Sequence, residues 1–314
     1  MINYNDPIVR GNILKELKLI IERYGIRILM EYQSNNEQLI RQAAEHAFYV
    51  LSDDKQHLGK IWNEHIQLQF ELLMNAENQY LVNDVFMKSA RNVLDIGCGE
   101  GLITKRLSDV YPNKRIVGID KDKGALQKAA LLVSNPNVAW VEKDILEAPN
   151  FRVESGPFDF IIARALLQHL QGRMDEFLIF CSANSRPGTL IYILEAYDAV
   201  RNFENPHAPN IIKMYVELGK NQQGRIDCIT KVLEICHQHG FQKIMSEGVI
   251  MITGRDMDKK LTYEHYKRLM YLAYKLYVHD ELLFEQSIND LEVWYKSRVS
   301  SSTFGVRIAK IQRF

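Results

Sequence analysis

The sequence has 314 residues, of which 46% are hydrophobic and 25% charged, an ordinary globular composition long enough for one large core with additions or two modest ones. Lys+Arg and Asp+Glu both number 39, so the net charge is zero, without the basic excess that nucleic-acid binders carry. No apolar run approaches the roughly 18 residues of a membrane span, and MINYNDPIVRGN lacks the basic-then-apolar pattern of a leader. A soluble, cytoplasmic protein with neither nucleic acid nor membrane as partner is expected.

Three regions follow one another. Residues 1–90 read as helical: Ile13, Leu14, Leu17, Ile20, Ile21 and Tyr24 recur at three- and four-residue steps. Further helices are expected over Glu37–Leu51 and Leu58–Met87. These helices either cap an active site or swap between subunits of a homodimer.

Residues 91–254 alternate short β-rich runs with helical ones. The strands are expected at Asn92–Ile96, Arg115–Asp120, Val138–Glu142, Phe158–Ala163, Thr189–Leu194 and Lys243–Thr253. The helices are expected at Leu102–Val110, Lys123–Ser134, Met174–Ala183 and Arg225–His239. Such alternation builds an α/β fold, a parallel sheet covered by helices on both faces. Pro112-Asn113, Asn135-Pro136, Gly156-Pro157 and Pro187-Gly188 are expected between elements.

Residues 255–314 read as a helical insertion over Tyr263–Ser297, then a closing strand over Thr303–Phe314 with Phe304, Val306, Ile308 and Ile311 on an alternating pattern.

The segment Val93-Leu94-Asp95-Ile96-Gly97-Cys98-Gly99-Glu100-Gly101 ends the first strand. Its glycines leave the backbone open to a ligand where the chain turns into a helix. Taken alone, such a turn serves a dinucleotide, another ligand, or merely a tight loop. Its spacing is GxGxG, whereas a dinucleotide fingerprint reads GxGxxG. Asp120 ends the second strand, where an acid can accept hydrogen bonds from a ribose diol. Asp144 follows the third strand, although Asp at strand ends also serves turn chemistry. Together these features line one crevice at the carboxyl ends of the strands.

These residues resemble those of class I S-adenosylmethionine (SAM)-dependent methyltransferases, Rossmann-like α/β enzymes. VLDIGCGEG is similar to the family's first motif, GIDKD to the second, EKDIL to the third and FDFIIARALLQHL to the fourth; RPGTLIYILE is similar to the segment that follows. The run Arg164–Leu170 is similar to a bacterial subgroup acting mostly on small molecules. The resemblance implies that the backbone of Gly97, Cys98 and Gly99 holds the methionine part of SAM. It implies that Asp95 orders that loop or reaches the amino group through water, and that Asp120 takes the ribose hydroxyls. Lys121 would flank the adenine, Asp144 and Ile145 would contact its edge and face, and Arg164 would lie near the methionine end. The product would be S-adenosylhomocysteine (SAH). The acceptor would be an oxygen or nitrogen of a small metabolite or natural product. The fourth motifs of nucleic-acid amino methyltransferases are absent.

A hydroxyl or ammonium acceptor needs a base. His169, after the fourth strand, is the first candidate, beside a plain capping or packing role. Tyr197 and Asp198, expected just beyond the fifth strand, would orient an acceptor or sit in a solvated loop. His207, in an expected loop over Asn202–Asn210, belongs to a lid or is simply exposed. Tyr80 and Asn83 would close over SAM, or Tyr80 would pack. No metal is expected: Cys236, His237 and His239 point apart on a helix. The Tyr263/Lys267 and Tyr271/Lys275 pairs read as neighbours on a helix face, and the stripe Tyr263, Tyr266, Tyr271, Tyr274, Tyr277 as core, subunit contact or acceptor pocket. Two other functions stay open at this point: a nicotinamide-dependent oxidoreductase, and a non-catalytic SAM- or SAH-binding regulator.

Overall fold

The computed structural model describes residues 57–314, apart from residues 75, 171, 205, 222–227 and 254–255. The expected helices at 13–24 and 37–51 lie outside the described residues.

Helix α1 covers residues 57–74. A π-helical turn, Asn78–Val82, and a short helix α2, Val85–Ser89, follow. The single helix expected over Leu58–Met87 is therefore broken. The break has a local cause: Asp84 adopts an extended backbone and its carboxylate accepts the Phe86 and Met87 amides, starting a new helix.

Strands β1 (Asn92–Ile96), β2 (Arg115–Asp120), β3 (Val138–Glu142) and β4 (Phe158–Arg164) alternate with helices α3 (Leu102–Val110) and α4 (Lys123–Leu132). Helix α5 (Met174–Ala183), β5 (Ser185–Glu204), α6 (Pro209–Asn221), α7 (Cys228–Ile235), β6 (Phe241–Thr253), α8 (Asp256–Ala273), α9 (Glu281–Lys296) and β7 (Ser301–Arg313) complete the chain. One seven-stranded sheet runs in the order β3-β2-β1-β4-β5-β7-β6. The first five strands are parallel, and β7 is antiparallel to both its neighbours.

The inner parallel strands are buried on both faces, as Val93, Leu94, Ile96, Ile116, Val117 and Ile119 show, which is why they read as continuous apolar runs. On one face α5 and α7 pack Phe177, Phe180, Ile229 and Val232 against Leu94, Ile161 and Ile191. On the other, α1 and α3 bring Leu72, Leu73, Ile103 and Leu107 against Val93, Ile116 and Phe160. Helix α4 is started by Asp122, whose side chain accepts the Gly124 and Ala125 amides.

Three expectations are corrected in β5. Pro187-Gly188 does not separate elements: the register with β4 jumps from Phe158↔Ser185 to Phe160↔Leu190, and the pair occupies that bulge. Tyr197 and Asp198 do not follow the strand but lie within it, because pairing with β7 extends β5 to Glu204. The expected loop at Asn202–Asn210 shrinks for the same reason, and α6 begins at Pro209. The C-terminal helical stretch is two helices, α8 and α9, parted by a π-helical turn, Tyr274–Val278, and by His279 in the left-handed region. A third core gathers α6, α8 and α9 around Phe203, Tyr266 and Trp294. Tyr263 and Tyr266 belong to that core, and Lys267 and Lys275 lie over the rings of Tyr263 and Tyr271 as helix-face neighbours. No helix among the described residues is long and apolar enough to cross a membrane.

Candidate active site

The order β3-β2-β1-β4 places a topological switch point between β1 and β4, where crossovers leave in opposite directions and a crevice opens at the strand ends. A cavity of about 520 Å³ lies there, within the size range of sites for small molecules.

The glycine loop forms its floor. Gly97 (φ +69°) and Gly99 (φ +53°) both sit in the left-handed region, which costs other residues about 1–2 kcal/mol. At Gly97 a side chain would also have to displace Leu166, whose Cδ1 would stand 2.7 Å from an added Cβ. At Gly99 the corresponding direction is open for 4 Å. The loop is tied to the end of β2: Gly97 and Cys98 donate to the Ile119 carbonyl, and the Gly99 amide donates to Asp120 Oδ2 at 2.9 Å. Asp120 Oδ1 takes the Asp122 amide at 2.9 Å. Each carboxylate oxygen keeps a lone pair for a further donor.

Asp95 lies beneath the loop, buried, and accepts the Thr104 hydroxyl of α3 at 2.7 Å. Burial lifts its pKa from 3.8 to about 6, against the pull of Thr104 and Arg164. Burial likewise pushes the Cys98 thiol up. Asp144 accepts the Leu146 amide at 2.9 Å and faces the exposed Lys121 ammonium at 3.8 Å. Ile145 beside it is buried. Arg164 closes β4, its Nε donating to both oxygens of fully buried Glu77 at 2.9 and 3.0 Å.

After Arg164 the chain bends sharply at Ala165 (φ +50°) into a 3-10 turn, Leu167–His169. This turn brings His169 to the cavity edge. Glu195, buried on β5, receives the Leu167 amide on Oε1 at 2.6 Å. Burial raises its pKa from 4.5 to about 8, opposed by the amides facing it.

Asp95, Gly97, Cys98, Gly99, Asp120, Lys121, Asp144, Ile145, Arg164 and His169 thus line one cavity. Tyr197 and Asp198 stand further along β5, Tyr197 opposite Gly305 of β7. Tyr80 packs with the core on the α1 side of the sheet, and Asn83 ends the π-helical turn. His239 lies outside the cavity, paired with Asp175 at 2.9 Å, and His237 packs on Phe314. Sequence reading missed the roof. Helix α1 contributes Trp62, Asn63, Ile66 and Gln69, spaced to share one helix face. That spacing was the available signal, but it only becomes a lining when α1 is laid on the crevice. Glu77 was missed as well, for its partner is 87 residues away.

Residues 93–188 match the family model described as a methyltransferase domain. This stretch, from β1 to the start of β5, is where the chain is similar to methyltransferases. The chain is 28% identical over 102 residues to a malonyl-[acyl-carrier protein] O-methyltransferase of Anoxybacillus flavithermus, covering 32% of this chain and 38% of that protein. It is 29% identical over 149 residues to a trans-aconitate 2-methyltransferase of Azoarcus sp., covering 46% and 53%. A second malonyl-[acyl-carrier protein] O-methyltransferase, of Halalkalibacterium halodurans, is 35% identical over 81 residues, covering 26% and 30%. The chain spans about half or less of the length of these relatives. The family-model match takes in β1 to the start of β5, the glycine-loop side of the cavity, and leaves out α1 and the helices after β5.

The residues present fit the cofactor of such a domain. The glycine loop leaves open space at Gly99 for a close backbone approach, the Asp120 carboxylate stands at a strand end with acceptor capacity left, and the buried Asp95 offers negative charge to an ammonium or sulfonium.

Proposed function

We propose that the protein is a SAM-dependent methyltransferase that moves a methyl group to an oxygen or nitrogen of a small metabolite or natural product. The observation that carries this reading is the single cavity joining the glycine loop, Asp120, Asp144 and His169 at the carboxyl ends of adjacent parallel strands. Trans-aconitate, named as the acceptor of one relative, is a small metabolite, which favours a small acceptor here.

In this reading Asp120 binds the ribose hydroxyls, Lys121 flanks the adenine, Asp144 and Ile145 contact its edge and face, and the Gly97–Gly99 backbone with Asp95 and Arg164 surrounds the methionine end. The bound donor supplies an electrophilic methyl group on a sulfonium. The chain's own work is to orient the acceptor, exclude water and remove a proton. His169 accepts that proton at the cavity edge. Trp62, Asn63, Ile66 and Gln69 cover the crevice from above. Tyr197 and Asp198 help to orient the acceptor.

Calorimetric titration with SAH tests the cofactor half of the reading. We expect binding by the natural chain and at least tenfold weaker binding by Asp120→Ala, which loses charge-assisted hydrogen bonds. Absence of SAH binding would refute it. Turnover of labelled SAM against a metabolite extract tests the acceptor half, and a product on protein or nucleic acid alone would overturn the small acceptor.

A further inference from the structure

Glu195 does not line the cavity, yet it is almost wholly buried at the point where β5 passes the turn after β4. Its Oε1 takes the Leu167 amide at 2.6 Å, and the Leu166 and Gln168 amides also face the carboxyl. Oε2 is buried and has no hydrogen-bond partner among the described residues. The residue before it, Leu194, accepts the Ala165 amide at 2.8 Å. Two successive residues of β5 therefore grip the first residues of the turn, one by backbone and one by side chain.

That turn does not support itself. Ala165 sits at φ +50°, a left-handed conformation that costs an L-residue about 1–2 kcal/mol and persists only where the surroundings hold it. The turn also matters to the cavity on both sides: Leu166 abuts Gly97 of the glycine loop, and His169 reaches the edge. A carboxyl among fully buried Leu167, Ile193 and Leu194 is costly unless its bonds repay the desolvation.

We propose that Glu195 is a positioning residue, whose buried carboxyl holds the 165–169 turn against the glycine loop and so sets Leu166 and His169 in the cofactor cavity. The proposal rests on the reading of that cavity as a SAM site. Glu195 acts through the turn and touches neither donor nor acceptor.

The test compares the natural chain with Glu195→Gln and Glu195→Leu by two measurements. Hydrogen exchange of segment 164–170 reads the turn directly, with no ligand present. We expect protection in the natural chain and in Glu195→Gln, whose amide oxygen can still accept the Leu167 N–H, and exchange at least tenfold faster in Glu195→Leu. SAH titration reads the consequence. Glu195→Leu should bind at least tenfold more weakly, and Glu195→Gln within about threefold of the natural chain. A folded Glu195→Leu with unaltered exchange overturns the proposal, as does a Glu195→Gln as impaired as the leucine variant. Should Glu195→Leu not fold, rapid exchange of the 164–170 segment in the natural chain overturns it, and protection in the natural chain with rescue by glutamine supports it. A natural chain that ignores SAH while these exchange differences hold would sink the methyltransferase reading and leave the turn anchor standing.

Discussion

Glu77 and Arg164, 87 residues apart in the chain, meet in a buried ion pair that fastens the segment before β1 to the end of β4. Glu77 is fully buried and Arg164 nearly so. In such a place removing one partner costs more than the pair itself contributes, because the remaining charge is stranded. Urea unfolding of Glu77→Gln should show a loss of about 3 kcal/mol or more. The double variant Glu77→Leu/Arg164→Met should recover part of it. A loss below about 1 kcal/mol in the single variant would mean the pair is not buried in solution.

Gly97→Ala combines two penalties that can be separated. The left-handed backbone costs about 1–2 kcal/mol, and the added methyl meets Leu166. Adding Leu166→Ala should relieve the second penalty and leave the first. Unfolding free energies of the two variants and their combination, set out as a double-mutant cycle, measure the coupling. Strict additivity would show that Leu166 does not rest on the loop.

Asp84 serves two partners at once: Oδ1 starts α2, and Oδ2 pairs with the buried Lys310 ammonium of β7. Asp84→Asn keeps the helix cap but strands the lysine charge. Asp84→Ala loses both, with the cap worth about 1 kcal/mol. We expect both variants to lower the unfolding midpoint, alanine more than asparagine. Equal effects would show that the cap contributes nothing.

Stability should depend on pH at both ends of the working range, with opposite signs. Buried Glu195 keeps its proton up to about pH 8, whereas an unfolded glutamate releases it near 4.5. Across that window the unfolded chain binds fewer protons, so stability falls as pH rises from 4.5 to 8, then levels off. Glu195→Gln should flatten that slope in thermal unfolding curves. His65, stacked on His265 with ring centroids 4.5 Å apart, behaves the other way. Burial lowers its pKa from 6.5 to about 4. The unfolded chain takes up the proton first, so stability falls as pH drops from 6.5 to 4, by about 3 kcal/mol in all. His65→Phe keeps a ring in the stack and should remove that acid-side loss. Unchanged slopes in either variant would count against the corresponding burial.

Local pattern explains why part of this molecule was legible in the sequence. Strands β1, β2 and β3 and helices α3 and α5 begin and end where read, because their signals lie within a few residues: apolar runs, glycine or proline punctuation, an amphipathic face. The cavity lining at Gly97, Asp120, Asp144 and Arg164 followed from motifs placed at strand ends. What escaped depends on distant partners. Strand β5 runs past Leu194 to Glu204 only because β7, almost a hundred residues later, pairs with it. The residues of α1 that roof the cavity look like an ordinary helix face until α1 is laid on the crevice. Glu195 reads as one more acid after an apolar strand, and nothing near it in the chain announces the amides of a turn thirty residues earlier.

The place of β7 bears on how the chain comes off the ribosome. Among the described residues, strand β6 lies at the sheet edge and pairs with β7 alone. It is synthesised before α8 and α9 and must wait through both with its hydrogen-bonding edge open. The parallel strands upstream can collapse on their own helices meanwhile. A nascent chain paused before Ser301 would carry the donor crevice already walled, yet hold β6 as a loose ribbon, so translation speed across α8–α9 governs how long that ribbon is exposed to wrong partners.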